Sequence, residues 1–219
     1  LLRNDSYVNA GKDPIYTAEE IHQFAQGDSE WGYKAILKNA LQQSYNVGVQ
    51  GGSKTTSYNI SFGYYDQESN YKGQDFGVKR YNFRSNVVSD IGRLKLTALL
   101  AYDRQEGRSD RGGLWLSDVM RVPTYNTYDI YPDADGKYYN TDVTTGGNFL
   151  ATLYHGGLTT NDDDHFQGVV SGELNIWKGL KAKAVLGYDL RSEHRLIKRR
   201  YHPVYDYIDR DKVINESDN

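Results

Sequence analysis

The chain contains six stretches in which apolar and polar residues alternate. Side chains of a β-strand point alternately to opposite faces, so this pattern predicts strands with one apolar and one polar face. The apolar series are Tyr45, Val47, Val49; Tyr58, Ile60, Phe62, Tyr64; Tyr81, Phe83, Val87; Leu94, Leu96, Ala98, Leu100, Tyr102; Phe166, Val170, Leu174, Ile176; and Leu180, Ala182, Ala184, Leu186, Tyr188, Leu190.

Strand length and the connections between strands indicate a membrane protein. Five of the six stretches reach the length of a membrane-crossing strand, about 9 to 11 residues, whereas strands of soluble domains have about 5 or 6. Tight turns are predicted at 51–54, 89–92 and 177–179, and long connections at 66–79 and 104–165. Short turns alternating with long loops are typical of outer-membrane barrels. The pattern predicts an all-β fold that forms a segment of a large antiparallel transmembrane β-barrel.

The segments between the strands complete the predicted organisation. Thr17 is followed three residues later by Glu20, a capping box, and Ile21, Phe24 and Ala25 follow at helical spacing. A short helical insertion is therefore predicted before the first strand. We divide the chain into a connecting segment with short helices (1–44), four barrel strands (45–103), a long extracellular loop (104–165), two barrel strands (166–191) and the start of the next loop or strand (192–219).

Aromatic residues recur at the long-loop ends of the predicted strands, on the apolar face. Outer-membrane barrels carry aromatic girdles at the membrane interface, where the ring is buried and its polar edge is hydrated. In a soluble sheet the same residues would be ordinary strand aromatics, and this alternative stays open. The predicted outer aromatic girdle consists of Tyr64, Tyr81, Tyr102, Phe166 and Tyr188.

Composition excludes several classes of protein. No apolar run approaches the length of about 18 residues that a spanning helix needs. The net charge is -3, and no basic block predicts binding to nucleic acid. The chain has no cysteine and five scattered histidines, and it lacks the motifs of nucleophilic, zinc-dependent and nucleotide-binding enzymes. The sequence therefore predicts neither an enzyme nor a cofactor.

The long loop contains the candidate contacts to a substrate. Flat aromatic faces can contact the apolar surface of a ligand, and amide or charged groups can bond to its polar groups. Packing within the loop, or contact with a partner, is the alternative role for each residue. The candidates are Trp115, Tyr125, Asn126, Tyr128, Asp129 and Tyr131.

Two acidic clusters raise the question of a metal site. Asp133-Ala134-Asp135-Gly136 opens like a calcium-binding loop but lacks the Glu near the twelfth position of an EF-hand. It is more simply a turn. Asp162-Asp163-Asp164-His165 is interpreted as a solvated loop tip, because neighbouring side chains on an extended chain point away from one another. No metal site is predicted.

Several motifs, in order along the chain, resemble one family. They are DPIYTAEEIHQFAQGDSEW, then QQSYNVGVQGGSKTT, GYYDQE and YNFRSN. Together they closely resemble the SusC/RagA family of TonB-linked outer-membrane transporters from Bacteroidetes. The downstream runs VPTYNTYDIYPDADGKYY and LNIWKGLKAKAVLGYD resemble the same barrel region. Glu30-Trp31 departs from the Asp-Trp pair that is common in the family.

The resemblance implies a parent barrel of about 22 strands, plugged by an N-terminal domain, in the outer membrane of a Gram-negative bacterium. Such proteins import oligosaccharides or peptides with energy from the TonB complex, and a SusD-like surface lipoprotein forms the lid. Coupling to TonB would use parts not contained in these 219 residues. The sequence leaves one alternative from another class, a soluble all-β carbohydrate-binding or adhesion module.

Overall fold

The computed structural model describes residues 2–14, 16–25, 32–111, 130–140, 147–206 and 209–214. The chain forms two compact units, one of Leu1–Leu37, Leu114–Thr152 and His202–Asn219, the other of Lys38–Gly113 and Leu153–Tyr201. In chain order the elements are α1 (Leu2–Asn9), α2 (Ala18–Ala25), α3 (Gly32–Ile36), β1 (Gln42–Gly52), β2 (Thr56–Glu68), β3 (Gly77–Ile91), β4 (Leu94–Asp110), β5 (Tyr138–Tyr139), α4 (Phe149–His155), β6 (Gly157–Trp177), β7 (Leu180–Arg199) and β8 (Val204–Tyr205).

The second unit is built on the six predicted strands. They form one sheet in the order β1-β2-β3-β4-β6-β7, and every neighbouring pair is antiparallel. Three pairs are hairpins, as the turn residues predicted. Gly92 and Gly179 have φ values of 62° and 81° in their turns, which glycine adopts without steric cost. The all-β, antiparallel fold class predicted from the alternation is confirmed.

All six strands extend beyond the alternating stretches that predicted them, and the three longest reach into the predicted loops. β4, β6 and β7 have 17, 21 and 20 residues, and β6 includes Asp162–His165. The prediction of a solvated loop tip at these four residues was therefore wrong. Asp has a low intrinsic preference for strands, but cross-strand partners of opposite charge stabilise this segment. Arg104 contacts Asp162 and Asp164, while Arg191 pairs with Asp163.

The first unit contains short helices and a two-stranded parallel sheet of β5 and β8. Asn148 is buried and connects its parts. The side-chain Nδ2 of Asn148 donates to the carbonyl oxygens of Ile130 and Tyr139, and its Oδ1 accepts from Ala151 N–H in the first turn of α4. The predicted helix after Thr17 is present as α2. Among the described residues, no helix combines the length and the hydropathy needed to cross a membrane.

Buried apolar side chains are absent from the large sheet. In the part of the chain that the structure describes, no buried hydrophobic residue belongs to β1–β4, β6 or β7. A soluble sheet buries one face against another layer, because apolar surface in water is costly. Most of the exposed apolar residues of these six strands lie on one face instead, with Leu99, Val185 and Ile197 on the other. The buried hydrophobic residues are Ala35, Ile36, Phe76, Ile130, Tyr139, Leu150, Ala151, Leu153 and Val204.

Candidate functional site: an apolar outer face and a polar inner face

The strand register aligns the apolar residues into continuous rows. Residues directly opposite each other in an antiparallel pair share a face of the sheet. One row crosses all six strands and is apolar or aromatic throughout, with exposures of 36% to 68%. We call the face that carries it the outer face. This row is Val47, Phe62, Phe83, Tyr102, Phe166 and Leu190.

The outer face changes abruptly to polar residues towards the long-loop ends of the strands. A second row lies four residues from the apolar row, towards the long-loop ends, and it contains no apolar side chain. Its members are Gln43, Asp66, Lys79, Glu106, Asp162 and His194. Between the two rows, the Tyr102 hydroxyl donates to Asp164 at 2.6 Å, and Arg104 Nη1 contacts both oxygens of Asp164 at 3.3 Å. This boundary is the kind expected where a lipid-facing surface meets water.

The predicted girdle residues all lie on the outer face, along a line inclined to the rows. Tyr45, Tyr64 and Tyr81 share one row, Tyr102 and Phe166 lie in the next row, and Tyr188 lies one row further. Ring centroids are 5.2 Å apart for Tyr64–Tyr81 and 6.1 Å for Phe166–Tyr188. From β1 to β7 the line moves towards the tight turns by about four residues, or about 14 Å. It crosses five strand spacings of about 4.8 Å each, so it is inclined to the rows by about 30°.

The tight turns at the other end of the strands lie along a similar incline. The hairpin of β6 and β7 lies four strand spacings away from the hairpin of β1 and β2. Measured along the strands, it is displaced by about six residues towards the turn end of the sheet. The corresponding inclination is about 45°, in the same direction as the aromatic line. Strands of outer-membrane barrels are tilted by about 35–45°. The apolar band thus keeps a nearly constant width between two inclined edges.

Trp177 is a member of the outer face that the alternation did not predict. Strict alternation from Leu174 places Trp177 on the opposite face. A β-bulge between Asn175 and Trp177 shifts the register so that Trp177 lies opposite Leu180, and a bulge re-aims the side chain. Trp177 is 79% exposed beside the turn, where an interfacial aromatic residue is expected. Two consecutive apolar residues, Ile176 and Trp177, were the only signal in the sequence.

The opposite, inner face is polar and concave. Three cavities of about 640, 590 and 360 Å³ open on it. Three pairs of charged side chains join β6 to β7 on this face: Arg191 with Asp163 at 2.5 Å, His165 with Asp189 at 3.1 Å, and Lys181 with Glu173 at 2.7 Å. Residues that the alternation assigned to the polar face lie here, including Asn59, Ser61, Asn82, Arg84, Asn86, Lys95, Gln167, Glu173, Asn175, Lys181 and Lys183.

The predicted substrate contacts of the long loop are mostly outside the described residues. Tyr131 is described and is 38% exposed. Its role as a ligand contact remains a prediction. Trp115, Tyr125, Asn126, Tyr128 and Asp129 lie outside the described ranges.

Asp133 caps a turn. It accepts hydrogen bonds from the Tyr139 hydroxyl at 2.6 Å and from the N–H groups of Lys137 and Asp135 at 2.8 and 3.0 Å. These donors, the Tyr139 hydroxyl foremost, hold the pKa of Asp133 below its ordinary value of 3.8. All the donors are protein groups, as in an Asx turn. Across the described ranges, no group of three or more His, Cys, Asp or Glu could hold a metal ion.

Comparisons with known proteins agree with this geometry. No protein-family model matches the chain. The TonB-dependent receptor P26 of Formosa agariphila is 27% identical over 139 residues, which are 62% of this chain and 13% of that protein. The RagAB peptide importer in its 'closed-closed' state superposes with a TM-score of 0.63 and 26% identity, over 79% of this chain and 20% of that chain.

The chain is SusC/RagA-like. Its six-stranded sheet matches part of the barrel of the RagAB structure, and the 'open-open' state of that importer shows the same fold, with a TM-score of 0.65 over 90% of this chain at 22% identity. The SusC/RagA-like chain spans about an eighth of the curated relative and about a fifth to a quarter of the solved chains. The matched proteins are named as a receptor and an importer.

Proposed function

We propose that this chain forms part of the wall of a TonB-dependent transporter that imports nutrients across the outer membrane of a Gram-negative bacterium. The outer face would contact lipid, and the inner face would line the lumen. Energy would come from the TonB complex through parts of the protein other than the segment described above. The wall itself performs no chemical step.

One observation carries this proposal: an apolar band, exposed on every strand, lies between two edges that are inclined alike to the strand ladder. A soluble carbohydrate-binding or adhesion module would bury that band against a second layer. In such a module the position of the second layer would set the direction of the apolar band. The band would then have no reason to be inclined to the strand ladder at the angle of membrane strands. The band therefore favours the transporter over the soluble module.

The proposed cargo is a peptide or an oligosaccharide, and the proposed partner is a SusD-like surface lipoprotein. The solved neighbour is described as a peptide importer named RagAB, which supports a two-component importer with a polymer fragment as cargo. The loop residues Trp115, Tyr125, Asn126, Tyr128, Asp129 and Tyr131 stay candidates for contact with cargo or lid. No nucleic acid takes part.

The test is isolation of the whole protein from native outer membranes. We expect a protein several times larger than the 25.0 kDa of this chain, released only by detergent, that retains a surface lipoprotein in a pull-down. Deleting its gene should abolish growth on at least one peptide or oligosaccharide as sole nutrient. A water-soluble protein that stays monodisperse without detergent and retains no lipoprotein would contradict the proposal and support the binding module.

A further inference from the structure

The end of β7 nearest the long loops carries a run of cations. We call residues 195–201 the basic segment. It contains no acidic residue, and all seven of its residues are exposed. Its four cations are Arg195, Lys198 and Arg199, which belong to β7, and Arg200, which follows directly.

The four cations have no acidic partner on the neighbouring strand. Closer to the turn, Arg191 of β7 pairs with Asp163 of β6. Opposite the strand part of the basic segment, β6 contributes residues 157–161, which are Gly-Leu-Thr-Thr-Asn and carry no charge. Across the described ranges, none of the four cations forms an ion pair or a hydrogen bond through its side chain. Their positive charge is therefore available to a partner outside those ranges.

The basic segment also exposes apolar side chains. Leu196, Ile197 and Tyr201 are 43%, 48% and 54% exposed. Leu196 lies on the outer face, where Ser192 and His194 separate it from the apolar band. Apolar surface that stays in water is costly, and an exposed apolar patch rimmed by polar groups marks a site of protein contact. The segment thus combines charge with apolar surface as an interface does.

The basic segment lies too far along β7 to contact lipid headgroups. Arg195 lies seven residues beyond Tyr188 of the predicted girdle. At about 3.3 Å per residue and a strand tilt of about 40°, the segment would begin about 18 Å outside the girdle. The headgroup region of a bilayer is only about 5–8 Å thick on each side. Leu196 would therefore lie in water, and so would the four cations.

The cations occupy both faces of the sheet. Arg195 and Arg199 are at inner-face positions, whereas Lys198 is at an outer-face position. A ligand inside the lumen would meet the two arginines alone. A protein seated on the rim of the barrel can meet all three cations at once.

We propose that the basic segment docks an acidic surface of the lipoprotein that sits on the extracellular mouth. Arg and Tyr are enriched among the residues that dominate protein interfaces, and the segment contains three Arg and one Tyr. Its cations would speed association and fix the orientation of the partner, while the three apolar side chains would be covered. The inference rests on the proposed function and adds to it the charge of the partner's contact surface.

The first experiment is zero-length cross-linking in the complex of the whole transporter with its lipoprotein, purified in detergent. A carbodiimide condenses a Lys amine with a carboxylate that it contacts, forming an amide with loss of water. We expect Lys198 to couple to Asp or Glu residues of the lipoprotein, as read by mass spectrometry of the linked peptides. The matched control Lys198→Arg keeps the charge but removes the amine, so the cross-link should disappear while the lipoprotein stays bound.

The second experiment measures the affinity of the purified lipoprotein for variants of the transporter. Arg195→Glu/Arg199→Glu should weaken binding by about ten-fold, because like charges would face each other. Raising NaCl from about 0.05 M to about 0.5 M should weaken binding to the wild type, since salt screens the attraction. The matched control Lys54→Glu/Lys178→Glu reverses two exposed lysines of the tight turns at the opposite end of the sheet and should leave the affinity unchanged.

Equal affinity of the wild type and of Arg195→Glu/Arg199→Glu would overturn the inference. So would cross-links that join Lys198 only to carboxylates of the transporter, because another strand of the same chain would then neutralise the segment. If the double variant fails to reach the outer membrane, the wild-type cross-link alone decides between these two partners. A wild-type transporter that retains no lipoprotein would contradict the proposed function itself.

Discussion

At the scale of single residues, side-chain partners rather than residue type decide what each acidic group does. Asp162 and Asp164 point to the outer face and contact Arg104, whereas Asp163 points to the inner face and pairs with Arg191. Three adjacent aspartates therefore serve two surfaces. Asp133 instead holds a turn through backbone and hydroxyl donors.

Asp133 makes the stability of its turn dependent on pH. Its pKa is lowered in the folded protein, chiefly by the Tyr139 hydroxyl. The carboxylate therefore stabilises the turn above the ordinary pKa of 3.8, and this stabilisation is lost as the pH falls through the lowered value. Hydrogen exchange at Asp135 and Lys137, corrected for its intrinsic pH dependence, should accelerate below about pH 4.

Two variants check this assignment. Asp133→Asn should exchange rapidly at every pH, because the amide cannot replace the charge-assisted hydrogen bonds. Asp135→Asn, two residues away, should keep the wild-type pH dependence. An equally flat profile in the wild type and in Asp133→Asn would refute the role of the carboxylate.

Gly157 is required at the start of β6. Its φ is 99°, and a Cβ there would collide with the carbonyl oxygen of Lys198 on β7. Gly157→Ala should destabilise the paired ends of β6 and β7 by about 1–2 kcal/mol, the cost of a left-handed L-residue. Hydrogen exchange of these strand ends measures the change. Gly187→Ala on β7, where no heavy atom lies within 4 Å of the added carbon, should leave exchange unchanged.

At the scale of secondary structure elements, each strand separates two environments by the period-two rule. Val169 and Val170 are adjacent and identical on β6, but Val169 lines the inner cavity while Val170 pairs with Ala98 and Leu186 on the outer face. Identical substitutions at these two positions test which side of the sheet contacts lipid.

Val170→Arg places a charge near the middle of the apolar band. In the whole protein it should cost about 2–4 kcal/mol and reduce the level of folded protein in the outer membrane. Val169→Arg should be tolerated, because the inner face is polar. Unfolding in urea from lipid vesicles gives the free energies. Equal tolerance of both substitutions would show that the outer face is not in lipid.

At the scale of the whole molecule, the two faces of the sheet call for different surroundings. Its apolar row is exposed along its length, and the buried hydrophobic residues of the described chain lie in other segments. Lipid on one side and a polar lumen on the other would satisfy both faces at once. If the outer face contacts lipid, the similar inclinations of the aromatic line and of the turns would set the tilt of the strands relative to the membrane plane.

That relation gives a prediction about orientation. If the strands are tilted by about 35–45°, girdle residues on different strands lie at one depth although they occupy different rows. Nitroxide labels at Tyr45, Tyr102 and Tyr188, introduced through cysteine in this cysteine-free chain, should report similar depths in bilayers of the whole protein. Depths that instead followed the rows would place Tyr188 about 14 Å deeper along its strand than Tyr45 and contradict the tilt.

The sequence by itself determined which face most of the strand residues occupy, because side-chain direction follows from a local period of two. It also determined the hairpins, since their turns are local and contain glycine where φ is positive. For this reason the six strands could be predicted, and the motif resemblance to SusC/RagA transporters agreed with the comparisons. The predicted girdle residues share one face, and their role at a membrane interface stays a prediction.

Only the tertiary structure decided the register between strands that are distant in sequence. The pairing of β4 with β6 joins segments separated by a long connection, and no local rule fixes which residues meet there. This register sets the inclination of the apolar band, aligns Asp162–Asp164 with Arg104, and completes the inner face. The bulge that re-aims Trp177 likewise depends on the neighbouring strand, so alternation alone could not reveal it.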